Sequence, residues 1–238
     1  TGGKSPFAKL HACAAWKGAA SFACSADGRW LAAGDDQGAR LWDLIAEDFV
    51  ATPPVWLERE NAVTCLEFSA DGRWLATGGQ GTKLWELKHA DPQQKVLELG
   101  ADDDVHCLAF SPDGRWLVTG GHSGPCRLWD LQAENPAIAT QILFERGKMY
   151  QCAADRLTFS PDGKWLAMSH MSSETASLWS FSKEGITGLP ITVKPIVLRG
   201  HEFYISCQAI SPDGQWLATG GEDNTVRLWD LTALDPSV

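Results

Sequence analysis

One spelling, Ser-x-Asp-Gly, returns five times in this chain and limits what it can fold into. It stands at Ser25–Gly28, Ser69–Gly72, Ser111–Gly114, Ser160–Gly163 and Ser211–Gly214. Two residues after each glycine comes a tryptophan: Trp30, Trp74, Trp116, Trp165 and Trp216. Each unit then closes on Leu-Trp, at Trp42, Trp85, Trp129, Trp179 and Trp229. These positions take all but two of the chain's 12 tryptophans. Successive units lie roughly 42 to 51 residues apart, within the range of a repeating four-strand unit.

The last copy, Ser211 to Leu231, is the clearest. Pro and Asp at the centre and Gly at the close of Ser211–Gly214 are type I turn chemistry. Gln215–Thr219 is apolar and β-prone, so a buried strand is expected there. Gly220–Asn224 predicts a second tight turn, and Thr225–Trp229 a third strand. Ile205–Ile210 is an apolar run able to pair ahead of the first turn. The unit is a meander of antiparallel strands. Lys9–Cys13, Lys95–Leu99 and Pro195–Arg199 stand at one common distance before their turns and read as a fourth, outer strand.

At these residues the chain resembles the WD-repeat β-propeller family, in a bacterial-type spelling, over essentially its whole length. The resemblance implies an all-β fold: a β-propeller of five four-stranded antiparallel blades forming one domain over residues 1–238. The repeat units fall at approximately 7–44, 45–87, 88–131, 132–181 and 182–231. After Leu231 the chain has no outer strand for its last blade, and the N-terminal strand at Lys9–Cys13 is expected to fill that gap and close the ring. A second reading stays open. A cut through a longer array leaves the same two ends, Asp235-Pro236 resembles Asp91-Pro92 and Asn135-Pro136, and seven blades are the family's usual number. The ring is then a fragment, or is completed by another chain. The fourth unit is the most irregular, with a lengthened turn at His170–Glu174 and a long connection from Phe181 to Lys194.

Composition narrows the function classes. A hydrophobic content of 44% supports a sizeable core. A net charge of −10 argues against a general affinity for nucleic acid or anionic membrane. No apolar run is long enough for a transmembrane helix, and the chain starts at Thr1 without a signal peptide, which a processed or trimmed start would hide. The seven cysteines show no C-x-x-C spacing. Cys65, Cys107 and Cys207 each precede a turn serine by the same distance, in different blades, where they cannot pair and are expected to be small buried thiols. Unpaired cysteines fit a reducing, cytoplasmic setting.

In the family, a histidine ahead of the inner strand joins a Ser/Thr, an Asp and the closing Trp in a hydrogen-bonded chain. The resemblance carries this onto His201, Thr219, Asp223 and Trp229 as a structural set. The imidazole donates to the carboxylate and accepts from the hydroxyl, which accepts from the indole. The sharper alternative, a catalytic site with Thr219 as nucleophile, is disfavoured because Thr219 falls within a packed strand. The corresponding histidine positions hold Arg59, Ala101 and Lys148, so the fifth blade alone has the full set. His11, His89, His106, His122 and His170 show no ligand spacing, and Gly78-Gly79, Gly120-Gly121 and Gly220-Gly221 end strands without a following helix. No metal, cofactor or catalytic residue is expected.

The best functional clue lies in the loops entering the inner strands, which in this family share one face of the disc. They offer Trp16 and Lys17, Glu60 and Asn61, Asp102, Asp103 and Asp104, Lys148, Met149 and Tyr150, and Glu202, Phe203 and Tyr204. In a closed ring, Trp16, Met149, Tyr150, Phe203 and Tyr204 form one partner-binding patch, with Asp102–Asp104 beside it. The opposing reading has these side chains folding inward to seal the disc. The expected function is a non-enzymatic protein-interaction scaffold or sensor, monomeric, that binds a protein or peptide and belongs to a larger bacterial signalling polypeptide. Two rivals remain: incomplete rings that complete one another, and an enzyme processing a small ligand in the central channel. The second requires converging titratable groups without a turn or core role, and the sequence displays none.

Overall fold

The computed structural model describes residues 21–46, 52–59, 62–87, 95–121, 125–144, 156–169, 173–181 and 194–233. Among them lie antiparallel strands and no helix. The first sheet runs β1 (Ser21–Cys24), β2 (Trp30–Asp35), β3 (Gly38–Asp43), β4 (Val55–Arg59). The second runs β5 (Val63–Phe68), β6 (Trp74–Glu86), β7 (Val96–Asp104). The third runs β8 (Cys107–Phe110), β9 (Trp116–Gly120), β10 (Cys126–Asp130), β11 (Thr140–Phe144). The fourth runs β12 (Arg156–Phe159), β13 (Trp165–Ser169), β14 (Thr175–Ser180), β15 (Ile196–Arg199). The fifth runs β16 (Ile205–Ile210), β17 (Trp216–Gly221), β18 (Val226–Asp230).

β6 is extended throughout but doubles back. Leu87 N–H reaches Arg73 O at 2.8 Å, which a straight strand of this length forbids. The reversal falls at Gln80–Gly81, where Gly81 takes φ 83°, rather than after Gly79. The second sheet therefore also crosses four times.

The Ser-x-Asp-Gly turns are alike in all five sheets. In each, the glycine N–H bonds the serine carbonyl at 2.8–2.9 Å, and the glycine sits at φ between 66° and 71°, where a side chain is strained. The serine hydroxyl accepts from the tryptophan N–H (Trp30 to Ser25, 2.9 Å) and donates to the turn carboxylate (Ser69 to Asp71, 2.6 Å). That carboxylate accepts the N–H two residues on, as from Arg29 to Asp27 at 3.0 Å. Serine and aspartate are thus required as a pair.

A second recurrent device was not anticipated. Arg29, Arg73 and Arg115 bridge to Asp43, Glu86 and Asp130 at 2.8, 3.0 and 2.9 Å, tying each first turn to the end of the third crossing. Each guanidinium also lies over the neighbouring indole of Trp30, Trp74 or Trp116, 4.6–4.8 Å from its centre.

The core is the set of contacts between sheets. Each sheet turns the face carrying its first tryptophan and its Leu-Trp leucine toward the next. The next sheet answers with residues beside its own turn and with its closing tryptophan. Leu41 packs with Phe68, Leu75 and Trp85, and Trp74 and Leu84 pack with Phe110, Leu117 and Trp129. Trp116 and Leu128 pack with Leu166, Trp179 and Phe181, and Leu178 packs with Ile205, Leu217 and Leu231. Four interfaces join five sheets in chain order. Full burial of one such leucine contributes about 2 kcal/mol.

The expected closing interface is not formed among the described residues. Leu41, Leu84, Leu128 and Leu178 are at most 1% exposed, while their equivalent, Leu228, is 67% exposed. Val226 and Trp216 on the same face are 74% and 42% exposed. At the other end Phe22 is 76% exposed, where its equivalent Leu66 is buried. Lys9–Cys13, the strand expected to complete the fifth sheet, lies outside the described residues. The expectation of uniformly buried inner-strand thiols also needs correction. Cys107 is buried, Cys65 is partly covered and Cys207 is exposed, because no sheet among the described residues packs on that face of the fifth.

These differences predict unequal costs for one substitution. Leu128→Ala should lower unfolding stability by about 2–5 kcal/mol, and Leu228→Ala by less than about 0.5 kcal/mol in dilute protein. Urea denaturation of both variants measures this.

Candidate functional site

The loop between β15 and β16 and the turn between β17 and β18 face each other and are tied together. His201 is buried between them. Its Nδ1 donates to Asp223 Oδ2 at 2.8 Å, because a carboxylate can only accept. This leaves Nε2 to accept from the Thr219 hydroxyl at 2.9 Å, and Thr219 Oγ1 in turn accepts the Trp229 indole N–H at 2.9 Å. Thr225 adds a hydroxyl bond to Asp223 at 2.7 Å, and Glu202 N–H donates to the same carboxylate at 3.0 Å. A backbone bond from Glu222 N–H to Tyr204 O, 2.8 Å, closes the pair of loops. Asn224 takes φ 60° to make the tight reversal.

The Thr225 hydroxyl, then the Glu202 N–H and His201, hold the Asp223 carboxyl far below the usual carboxylate range. Thr219 is fully buried, so no substrate reaches its hydroxyl. The lower half of this chain recurs where threonine is present: Trp85 Nε1 donates to Thr77 at 3.1 Å and Trp129 Nε1 to Thr119 at 3.0 Å. In the first and fourth sheets that position holds Ala33, whose side chain has no acceptor, and Met168, whose thioether is only a weak one.

On top of this braced pair stand Phe203 and Tyr204, 59% and 47% exposed. They point into solvent and do not seal the disc. Of the acidic loop, Asp102–Asp104 end β7, and the Asp104 carboxylate is half exposed, 3.1 Å from His106 Nε2. The side chains of Asp102 and Asp103 lie outside the described ones, as do residues Trp16, Met149 and Tyr150 altogether. For Trp16 to join the expected apolar and aromatic patch the fifth sheet must lie beside the first, and that contact is not formed among the described residues. Among the described residues of that patch, Phe203 and Tyr204 are the exposed ones.

One cluster escaped the sequence reading. The inner strands β5, β8 and β12 enclose an open cavity of about 220 Å³, lined by Cys65, Glu67, His106, Cys107 and Arg156 among others. Glu67 stands where other sheets have Ala23, Ala109, Thr158 and Ala209. Its carboxylate accepts the N–H of Phe110 at 3.3 Å. That N–H is free because Ser111, one residue on, takes the bond to Trp116 across the sheet, leaving Phe110 on the inner edge. Burial pushes the Glu67 carboxyl up to about 7. The Cys65 thiol is pushed up to about 12, first by burial, so it stays protonated and is no nucleophile at neutral pH. Cys107 Sγ donates to Gly120 O at 3.4 Å. Among the described residues no group of His, Cys, Asp and Glu could hold a metal ion.

The sequence matches the family description "WD domain, G-beta repeat" over residues 9–43, 55–85, 93–130 and 193–230, more than half of the chain. The chain belongs to the WD40-repeat family. The fourth sheet falls largely between the matched segments, as suits the most irregular unit. Protein groucho of Drosophila melanogaster is 32% identical over 179 residues, which is 74% of this chain and 23% of that protein. The ribosome biogenesis protein erb1 of Botryotinia fuckeliana is 52% identical over 40 residues, 17% of this chain and 5% of that protein. The ribosome biogenesis protein BOP1 of Rattus norvegicus is 50% identical over 36 residues, 15% of this chain and 5% of that protein. The chain spans a quarter or less of each of these relatives, all of them eukaryotic.

Two pH predictions follow from opposite shifts. Asp223 has a depressed pKa, so its contribution is complete above the unfolded value, about 4, and fades as pH falls below it. Thermal melts should show Asp223→Asn less stable at pH 7, with the gap shrinking below about pH 4. Glu67 is shifted upward, so folding is penalised as pH rises from about 4 to 7. Glu67→Gln keeps an acceptor for Phe110 and should stabilise the fold above pH 7, on the order of 1–2 kcal/mol, with no gain below about pH 4.

Proposed function

We infer that this WD40 module is a non-enzymatic interaction scaffold that binds a protein or peptide on its loop face, around Phe203 and Tyr204. The observation that carries the reading is the pairing of exposure with rigidity. Two large aromatic side chains stand in solvent on loops braced by the buried His201–Asp223 pair. Aromatic anchors held in place lose little conformational freedom on binding and dominate interface energies.

Family membership supports interaction over catalysis, since WD repeats serve as platforms for other proteins. The cavity at Glu67 supports the same choice, because its carboxylate and its Cys107 thiol already have backbone partners and its Cys65 thiol is held protonated. We read the module as part of a longer signalling polypeptide, of the bacterial kind its Ser-Pro-Asp-Gly-x-Trp-Leu spelling resembles. The free cysteines at Cys24, Cys65, Cys107, Cys126 and Cys207 support a cytoplasmic setting.

A displayed peptide library selected on the chain provides ligands, and their affinities are then measured by fluorescence anisotropy. Phe203→Ala and Tyr204→Ala should each weaken the selected peptides by about tenfold or more while leaving the melting temperature unchanged. Unchanged affinity with lost stability would assign both side chains to packing instead.

A further inference from the structure

Three times this protein builds the same clamp. A guanidinium lies over a neighbouring aromatic ring, 4.6–4.8 Å from its centre, and reaches a carboxylate at 2.8–3.0 Å. The sets are Arg29 with Trp30 and Asp43, Arg73 with Trp74 and Glu86, and Arg115 with Trp116 and Asp130. The loop face carries rings and carboxylates of the same kind, and no guanidinium completes them among the described residues. Phe203 and Tyr204 supply the exposed rings. Glu202 precedes Phe203 in the chain, and Glu222 N–H is bonded to Tyr204 O at 2.8 Å. Glu174 joins them from the fourth sheet, where Ile205 N–H reaches Ser173 O at 3.1 Å. All three glutamates are exposed, and none forms an ion pair among the described residues. Two arginines stand at the foot of these loops: Arg227 lies against Gly200, and Arg199 pairs in register with Thr175. Neither is bonded to the three carboxylates.

We propose that the Phe203–Tyr204 surface takes an arginine-bearing peptide segment of another protein, with the guanidinium laid on an aromatic ring and paired with Glu202 or Glu222. The proposal rests on the reading of the loop face as the binding surface and names the chemistry of its partner. Arginine suits the surface better than lysine, because a flat guanidinium stacks on a ring while its fork of donors reaches a carboxylate. The internal clamps show that the two contacts are made together by one side chain. Glu174 and the net charge of −10 draw a basic segment toward this face, so added salt weakens the contact.

A random displayed peptide library selected on the full 238-residue chain tests this, with the binders titrated by fluorescence anisotropy. Arginine should be enriched among the binders. Glu202→Gln combined with Glu222→Gln should weaken them by about tenfold or more, with an unchanged melting temperature, because both side chains are exposed. Glu98→Gln combined with Glu134→Gln removes the same charge from exposed positions elsewhere and should weaken them by less than about twofold. Citrulline, which is neutral and close to arginine in shape, should lose about tenfold or more when it replaces the peptide arginine. Binders that lack arginine, or equal losses from the two double variants, overturn this inference; if Phe203→Ala still weakens those binders, the loop-face reading stands without it. Binders indifferent to Phe203→Ala, or a library that yields none, overturn both.

Discussion

Burial of tryptophan and leucine between facing sheets is the interaction on which the rest of this structure depends. A lone four-stranded meander has two apolar faces and cannot hide either by itself. Stacking hides one face of each neighbour at every step, so stability is nearly a sum over adjacent pairs. Leu41, Leu84, Leu128 and Leu178 are the same residue used four times, each covered because a sheet follows it. Leu228 has identical chemistry and a different fate, and only its neighbourhood differs.

Polar devices then set geometry where packing alone would leave it loose. Serine–aspartate pairs fix the first turns in all five sheets. Arginine bridges reinforce the first three sheets, and Lys164 and Gln215 replace the arginine in the last two. The fifth sheet, poorest in packing, holds the His201–Asp223–Thr219–Trp229 chain instead. That chain runs from loop to core and ties together the loop pair that carries the exposed Phe203 and Tyr204.

How much of this was legible in the sequence follows from how far each contact reaches. The turns and the strand positions depend on spacings within one repeat, and spacing is what a sequence displays, whereas the His201 set came through the resemblance to the WD-repeat family. The partnership of Glu67 with Phe110 crosses between sheets, to an N–H left free by its neighbour's pairing, and no local spacing signals it. Arg29, Arg73 and Arg115 do recur at a fixed offset from the turn, so a closer comparison of repeats could have found their bridges. Cys107 and Cys207 occupy the same position of the repeat and differ in burial, since exposure belongs to the assembly of sheets and not to the residue. For the loop residues the same limit holds: each repeat shows its own, but only the assembled sheets decide which loops are neighbours.

Hydrogen exchange of backbone amides, followed by mass spectrometry on dilute protein, tests the dependence on neighbouring sheets most directly. If sheet-on-sheet burial governs stability, protection should be highest in β9, β10 and β13, which are covered on both sides, and lower in β2 and β18. The difference should appear despite matching sequences in Leu128-Trp129 and Leu228-Trp229. Equal protection of β10 and β18 would contradict the account, because it would place the stability within each sheet and not between them.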